Sequence, residues 1–279
     1  MLAAKLPIIL PDYQPSLLFD FALTKSLDPR ITFTRASTGT YFGADGLLKT
    51  AAVNEARFDH NPATGESLGF AVEESRTNSI RNNTMMGGSA GVLPTNWSAT
   101  DSGTGLTKTI VGVGTESGIN YLDYRISGTA TSGGVIQIFS ETPVTVAAQG
   151  QSWTSSVYLR AVAGSSSGFT FGLNQQELTA AGAYLTQQIT TVPTPTDAVL
   201  IGQRKSAPVT LTHASTARTY FSVILFYNNG AVVDLTIRIG MPQMELGQGA
   251  TSVIATAGTA VTRSADVATM TGTNFSSWY

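Results

Sequence analysis

The chain has 279 residues, no cysteine, a net charge of −2 and only 12% charged residues, against roughly 25% in an ordinary globular protein. Disulfides and cysteine-ligated metals are excluded, and a nucleic-acid partner is not expected because a phosphate-tracking surface needs clustered Lys and Arg. Ser, Thr, Asn, Gln and Gly carry the polarity instead, a usage that suits strands and turns, and no run approaches the ~18 apolar residues of a membrane span.

Half of the charged residues lie in the first 82 positions, which divides the chain into a charged region (1–82), a charge-poor region (83–258) and a Thr/Ala-rich tail or connector (259–279). The apolar Met1–Phe19 stretch is interrupted by Pro7, Pro11, Asp12 and Pro15, so it does not read as a secretion signal. It is too apolar to float and too irregular to fold alone. It is expected to lie against a partner chain or to pack back on its own domain, with Leu6, Ile8, Ile9, Leu10, Tyr13, Leu17 and Phe19 as the contact residues. Trp278 and Tyr279 are expected to need a similar cover if the natural chain stops there rather than running on into another module.

From Ile31 onward, short strand patterns alternate with turn residues. Ala44-Asp45-Gly46 and Asn61-Pro62-Ala63-Thr64-Gly65 predict two hairpin turns. Glu73 to Asn78 carries charges that suit ion pairing. Asn82 to Asn96 reads as a loop entering the main domain. Beyond Trp97, Tyr121–Ile126 alternates, Val135–Phe139 is nearly all apolar, and Trp153, Ser155, Val157 and Leu159 share a face, as do Phe169, Phe171 and Leu173. Val199–Ile201 and Val209–Leu211 read as shorter strands. Gln175–Ile189 has a helix-like composition interrupted by Gly182.

Val232–Leu246 is the most informative stretch. Leu235, Ile237, Ile239 and Met241 alternate with Asp234, Thr236 and Arg238, after which Met244 and Leu246 occupy the opposite parity. A one-residue bulge at Gly240-Met241-Pro242 accounts for the slip. The apolar run Val223–Tyr227 followed by Asn228-Asn229-Gly230 reads as the first arm of a hairpin with this strand. The pattern as a whole predicts an all-β chain: N-terminal strands and hairpins, then a two-sheet β-sandwich of eight to ten strands.

The run LTIRIGMPQMELG with ATSVIATAGTAVTRSADV resembles the closing strands of a jelly-roll, carbohydrate-binding-module-like (galactose-binding-like) domain of tailed-phage fibre and spike proteins. The block from Ile31 to Asn78, ITFTRASTGTYFGADGLLKTAAVNEARFDHNPATGESLGFAVEESRTN, resembles the segment preceding that domain. The resemblance implies a virion-surface protein, on head or tail, built as a homotrimer, with other phage structural proteins and bacterial surface polysaccharide as partners. A capsid decoration protein is the alternative reading, and a tailspike depolymerase a third.

No catalytic constellation supports the last of these. Gly87-Gly88-Ser89-Ala90-Gly91 matches G-x-S-x-G but lacks the strand and helix flanks of a nucleophile elbow. The two histidines, His60 in a turn and His213 beside a short strand, have no partner at metal-ligand spacing. The acidic residues give no paired arrangement such as glycoside hydrolysis requires, and no cofactor or metal is expected. Sugar binding calls for a ring with amide groups beside it, for which Trp97, Tyr158, Tyr184, Asn174 and Gln176 are the candidates.

Overall fold

A computed structural model describes residues 17–141 and 145–276. Six short strands open it: β1 (Thr32–Thr34), β2 (Gly39–Phe42), β3 (Leu48–Ala51), β4 (Arg57–His60), β5 (Ser67–Ala71) and β6 (Arg76–Asn78). The body comprises β7 (Ser98–Asp101), β8 (Leu106–Glu116), β9 (Ile119–Thr129), β10 (Gly134–Phe139), β11 (Thr145–Val146), β12 (Ser152–Ser165), β13 (Thr170–Leu178), β14 (Tyr184–Thr191), β15 (Arg204–Thr210), β16 (Arg218–Tyr227) and β17 (Val232–Leu246). Two short strands follow, β18 (Val261–Arg263) and β19 (Val267–Thr269).

The body is the expected jelly-roll sandwich of antiparallel strands. One sheet runs β14-β13-β16-β10-β7, with β11 also paired to β16; the other runs β15-β12-β17-β9-β8. Period-two alternation supplies the core. Leu122, Tyr124 and Ile126 from β9, Trp153, Val157 and Leu159 from β12, and Leu235, Ile237 and Ile239 from β17 meet Phe171, Leu173, Phe221, Val223 and Leu225 from the facing sheet. Each such side chain taken from water contributes about 1.5–3 kcal/mol.

The parity slip in β17 is a bulge. The register of β12 on β17 jumps from Ser156↔Gln243 to Tyr158↔Gly240, so β17 carries one extra residue there, with Met241 at a φ of 35°. Met241 leaves the main core and joins Ile119, Tyr158, Leu200 and Val253 in a second cluster on the outer face of the five-stranded sheet, with Phe42 and Leu48 packed on it. Gly240 is required here, since a Cβ would come within 2.8 Å of the Ile119 side chain. Past the bulge, Met244 returns to the main core, while Gln243 accepts from the Ile254 amide (2.7 Å) and Glu245 from the Thr251 amide (3.0 Å).

The two predicted hairpins, β2–β3 and β4–β5, are present. The first lies on this second cluster through Phe42 and Leu48, the second packs beside it with β4 against β2, and the chain's last strands pair with the strands that flank the two hairpins. β18 pairs with β6 and β19 with β1, so the segment from residue 259 runs back along the N-terminal strands. A buried ionic cluster joins the same pieces. Asp266 accepts from Arg35 at 3.1 Å and from Arg57, all three side chains being fully buried. Glu73, from the charged stretch expected to pair, bonds Arg57 and Arg263 at 2.8 Å each. Ser252 donates its amide and hydroxyl to Glu73 at 2.7 and 2.6 Å.

Four sequence expectations are corrected. β16 and β17 do not form a hairpin: the Asn228–Gly230 turn carries the chain from one sheet to the other, so the two strands face each other across the core. Residues that accept positive φ serve an arch as well as a hairpin, and composition alone does not separate the two. Gln175–Ile189 is not helical but forms the β13–β14 pair, with Gly182 at a φ of 84° in the connection; cross-strand partners override composition. Val199–Ile201 contributes to a short 3₁₀ turn, Leu200–Gly202, rather than a strand. His60 ends β4 and is buried, with its Nδ1 3.0 Å from the Phe42 carbonyl oxygen, rather than exposed in a turn.

Replacing Asp266 with Ala leaves the buried Arg35 without a carboxylate and Arg57 with Glu73 alone, and denaturant unfolding should show a loss of roughly 3–5 kcal/mol. Burial pulls the Glu73 carboxyl upward, but hydrogen bonds from Ser252 and the charges of Arg263 and Arg57 outweigh it and hold the group below its ordinary value. Its stabilising effect is therefore complete above the unfolded pKa of about 4.3 and fades as pH falls through the lower folded value. Stability measured from pH 6 down to 3 should decline over that window, and Glu73→Gln should flatten the decline.

Candidate functional site

The hairpin layer covers part of the outer face of the five-stranded sheet. Among the described residues the apolar cluster outside the main core sits on that sheet, and none is found on the corresponding face of the six-stranded sheet. Along β13, odd-numbered residues point inward: Phe171 and Leu173 enter the core, Gln175 bonds the Ser155 hydroxyl at 2.6 Å, and Glu177 accepts from the Thr212 and His213 amides, each at 2.9 Å. Even-numbered residues therefore form the outer face, and they are polar where the sheet is deepest.

These outer residues make a ladder of amides. Asn174 donates Nδ2 to Gln187 (3.2 Å) and to Ser222 (3.3 Å). Gln176 donates Nε2 to Gln137 and Gln187, both at 3.3 Å, and accepts the Tyr220 hydroxyl at 2.6 Å. The strand register places these groups side by side, with Gln176 opposite Gln187 and Tyr220, and Asn174 opposite Ser222. The Tyr220 ring packs on Phe139, centroids 5.3 Å apart. Burial, with the neighbouring Tyr184 phenol, raises the Tyr220 phenol above its usual range.

Three of the five residues singled out as sugar-binding candidates thus lie together. Asn174 and Gln176 sit in the floor, 1% and 6% exposed, while Tyr184, at the start of the edge strand β14, is 58% exposed and Ile189, farther along that strand, 39%. Asn174 Oδ1 is buried without a partner. Trp97 and Tyr158 are elsewhere. Trp97 belongs to the sandwich core and donates its ring N–H to the Asn82 carbonyl at 2.7 Å. Tyr158 is buried in the second cluster beneath the Arg204 guanidinium. Gln137, Gln187 and Phe139 were missed, because each reads as an ordinary strand position until cross-strand register is known.

The apolar contact candidates divide similarly. Leu17 and Phe19 line an apolar groove of about 400 Å³ with Phe21, Ile31, Phe70 and Met270, where Phe19 stacks on Phe21 at 5.5 Å. Leu6, Ile8, Ile9, Leu10, Tyr13, Trp278 and Tyr279 lie outside the described residues. Gly87–Gly91 is a surface turn closed by a Ser89–Val92 bridge. Among the described residues no group of three or more His, Asp or Glu could hold a metal, and no helix is long and apolar enough to cross a membrane.

No family model and no curated protein matches the chain. Similar solved structures include an arabinose-bound α-L-arabinofuranosidase, at 15% identity and a TM-score of 0.40 over 77% of this chain. The match spans only 31% of that enzyme's length. A carbohydrate-binding module of the β-sandwich superfamily is similar at 14% identity and a TM-score of 0.38, over 75% of this chain and 85% of the module. A family 11 carbohydrate-binding module from Clostridium thermocellum, in complex with a β-1,3-1,4-mixed-linked tetrasaccharide, is similar at 9% identity and a TM-score of 0.38, over 66% of this chain and 98% of the module. The sandwich itself rests on strand pairing, and the ligands belong to those proteins.

Gln176 joins Tyr220, Gln137 and Gln187 in one network. Replacing it with Leu leaves those groups without their shared partner and should cost about 1–3 kcal/mol in denaturant unfolding. Tyr184→Ala, at an exposed edge position, should leave the same transition within about 0.5 kcal/mol of the parent.

Proposed function

We propose that this chain is a non-enzymatic surface protein of a tailed-phage particle whose six-stranded sheet binds glycans of the bacterial surface. The observation that carries the binding is the amide ladder of Asn174, Gln176, Gln187 and Gln137, flanked by Tyr220, Phe139 and the exposed Tyr184. Primary amides both donate and accept, which matches the dual character of sugar hydroxyls, and an exposed ring offers a face for the pyranose C–H groups. The virion placement is supported by the Ile31–Asn78 block and the Leu235–Gly247 run, which resemble phage fibre and spike proteins.

The absence of a catalytic step from this reading rests on how the buried acids are employed. Asp266 and Glu73 hold arginines, Glu245 holds Thr251, and Glu177 holds the Thr212–Thr216 turn. A trimer formed across the apolar groove around Leu17 and Phe19 would present three such sheets together, and avidity would multiply a weak single-site affinity.

Glycan-array binding by the full chain, with bacterial capsular and lipopolysaccharide glycans, tests the reading. Binding should appear, and Tyr184→Ala should weaken it about tenfold, equivalent to about 1.4 kcal/mol, without changing the melting temperature. Silence across the array together with attachment to capsids lacking the protein would replace it with a decoration role. Release of reducing ends from host capsule would overturn the non-enzymatic assignment.

A further inference from the structure

A second polar site lies on the opposite side of the sandwich, in the seam between the hairpin layer and the five-stranded sheet. There a cleft of about 320 Å³ is walled by Tyr41, Phe42 and Leu48 from the β2–β3 hairpin, Arg57 and Asp59 from β4, Val72 and Glu73 beyond β5, and Tyr158, Arg204 and Thr251 from the sandwich side. Its volume falls at the lower end of small-molecule sites, roughly 300–1,000 Å³.

The polar groups of this wall are incompletely used. Arg204 donates Nη1 to the Thr251 carbonyl at 2.7 Å and Nη2 to the Ser156 hydroxyl at 2.8 Å. Its charge rests over the Tyr158 ring, 5.7 Å from the centroid, and among the described residues no carboxylate pairs with it. The Nε atoms of Arg204 and of the fully buried Arg57 are both buried without a hydrogen-bond partner. Asp59 accepts the Phe42 and His60 amides through Oδ1, at 2.7 and 3.1 Å.

The unpaired guanidinium and the carboxylate occur together in one cleft, with aromatic and aliphatic side chains between. An anion would be met by Asp59 and Glu73, and a cation by Arg204 and Arg57. A neutral polyol uses both kinds of group at once, since each hydroxyl donates to the carboxylate and accepts from the guanidinium. We infer that the seam between the hairpin layer and the sandwich is a binding site for a neutral hexopyranose, either a single unit or the end of a longer glycan, separate from the sheet-face site.

The test is NMR titration of the full chain with glucose, galactose, N-acetylglucosamine and glucuronate as separate probes. At least one neutral sugar should bind in the millimolar range, with glucuronate weaker. Arg204→Gln and Asp59→Asn should each reduce that binding about tenfold. Val72→Trp, which fills the mouth of the cleft from an exposed position, should abolish it while leaving the fold intact. Tyr184→Ala, on the other sheet, should leave it unchanged, so this site and the sheet face fail or stand independently. No binding of any neutral sugar at tens of millimolar, glucuronate binding tightest, or sugar binding indifferent to Val72→Trp would overturn the assignment.

Discussion

Asp266 is the point on which the architecture closes. Its two oxygens take guanidiniums from Arg35 and Arg57, and its backbone amide bonds the Glu73 carbonyl at 2.9 Å. Burying charges is costly, and the desolvation is offset in part because most of the remaining donors are employed: Arg35 reaches the Ser37 and Ala52 carbonyls at 2.8 and 2.7 Å, and Arg263 the Glu74 carbonyl at 2.6 Å, while the Nε atoms of Arg57 and Arg263 stay unpaired. Such a cluster adds little net free energy over an apolar contact of equal size. It penalises any arrangement that leaves one member alone, and the members come from two stretches far apart in the chain, residues 35–73 and 263–266.

That closure would have no surface to act on without the bulge in β17. The extra residue turns Met241 out of the main core, and the apolar cluster it forms with Ile119, Tyr158 and Leu200 gives Phe42 and Leu48 of the first hairpin somewhere to pack. Beyond the bulge the outward Gln243 and Glu245 hold residues 251–254, the segment whose Ser252 bonds Glu73. One inserted residue thus decides which sheet is covered, and the six-stranded sheet keeps its outer face by consequence.

Much of this is legible in the sequence where the signal is local. The parity change between Met241 and Met244, the Asp45-Gly46 and Asn61–Gly65 turns and the shared faces of β12 and β13 all follow from side-chain period and turn chemistry. What fails is anything that depends on partners distant in the chain. Asn228–Gly230 does not say whether the strand it launches pairs with its predecessor or crosses to the other sheet. The ionic cluster joins residue 35 to residue 266, a separation across which charge patterning carries no information. In the site, Tyr184, Asn174 and Gln176 could be picked by chemical type, but the Gln137 and Gln187 that complete their network are set by register. Trp97 was picked by type too, and its ring N–H answers a buried carbonyl instead.

The amide ladder also constrains how strongly the exposed sheet can bind. Its groups already satisfy one another, and Asn174 and Gln176 are almost wholly buried beneath their neighbours, so a glycan hydroxyl gains only by exchanging with a bond that exists. The net return per exchange is the small difference between two hydrogen bonds; on the glycan-binding reading proposed above, the favourable remainder would come from ring contact at the exposed Tyr184. The benefit of a self-satisfied floor is rigidity: its amides are oriented before any ligand arrives, and little ordering cost is added on binding. A face built in this way would be specific in geometry and weak in affinity, the combination that the multivalent display proposed above would convert into firm attachment.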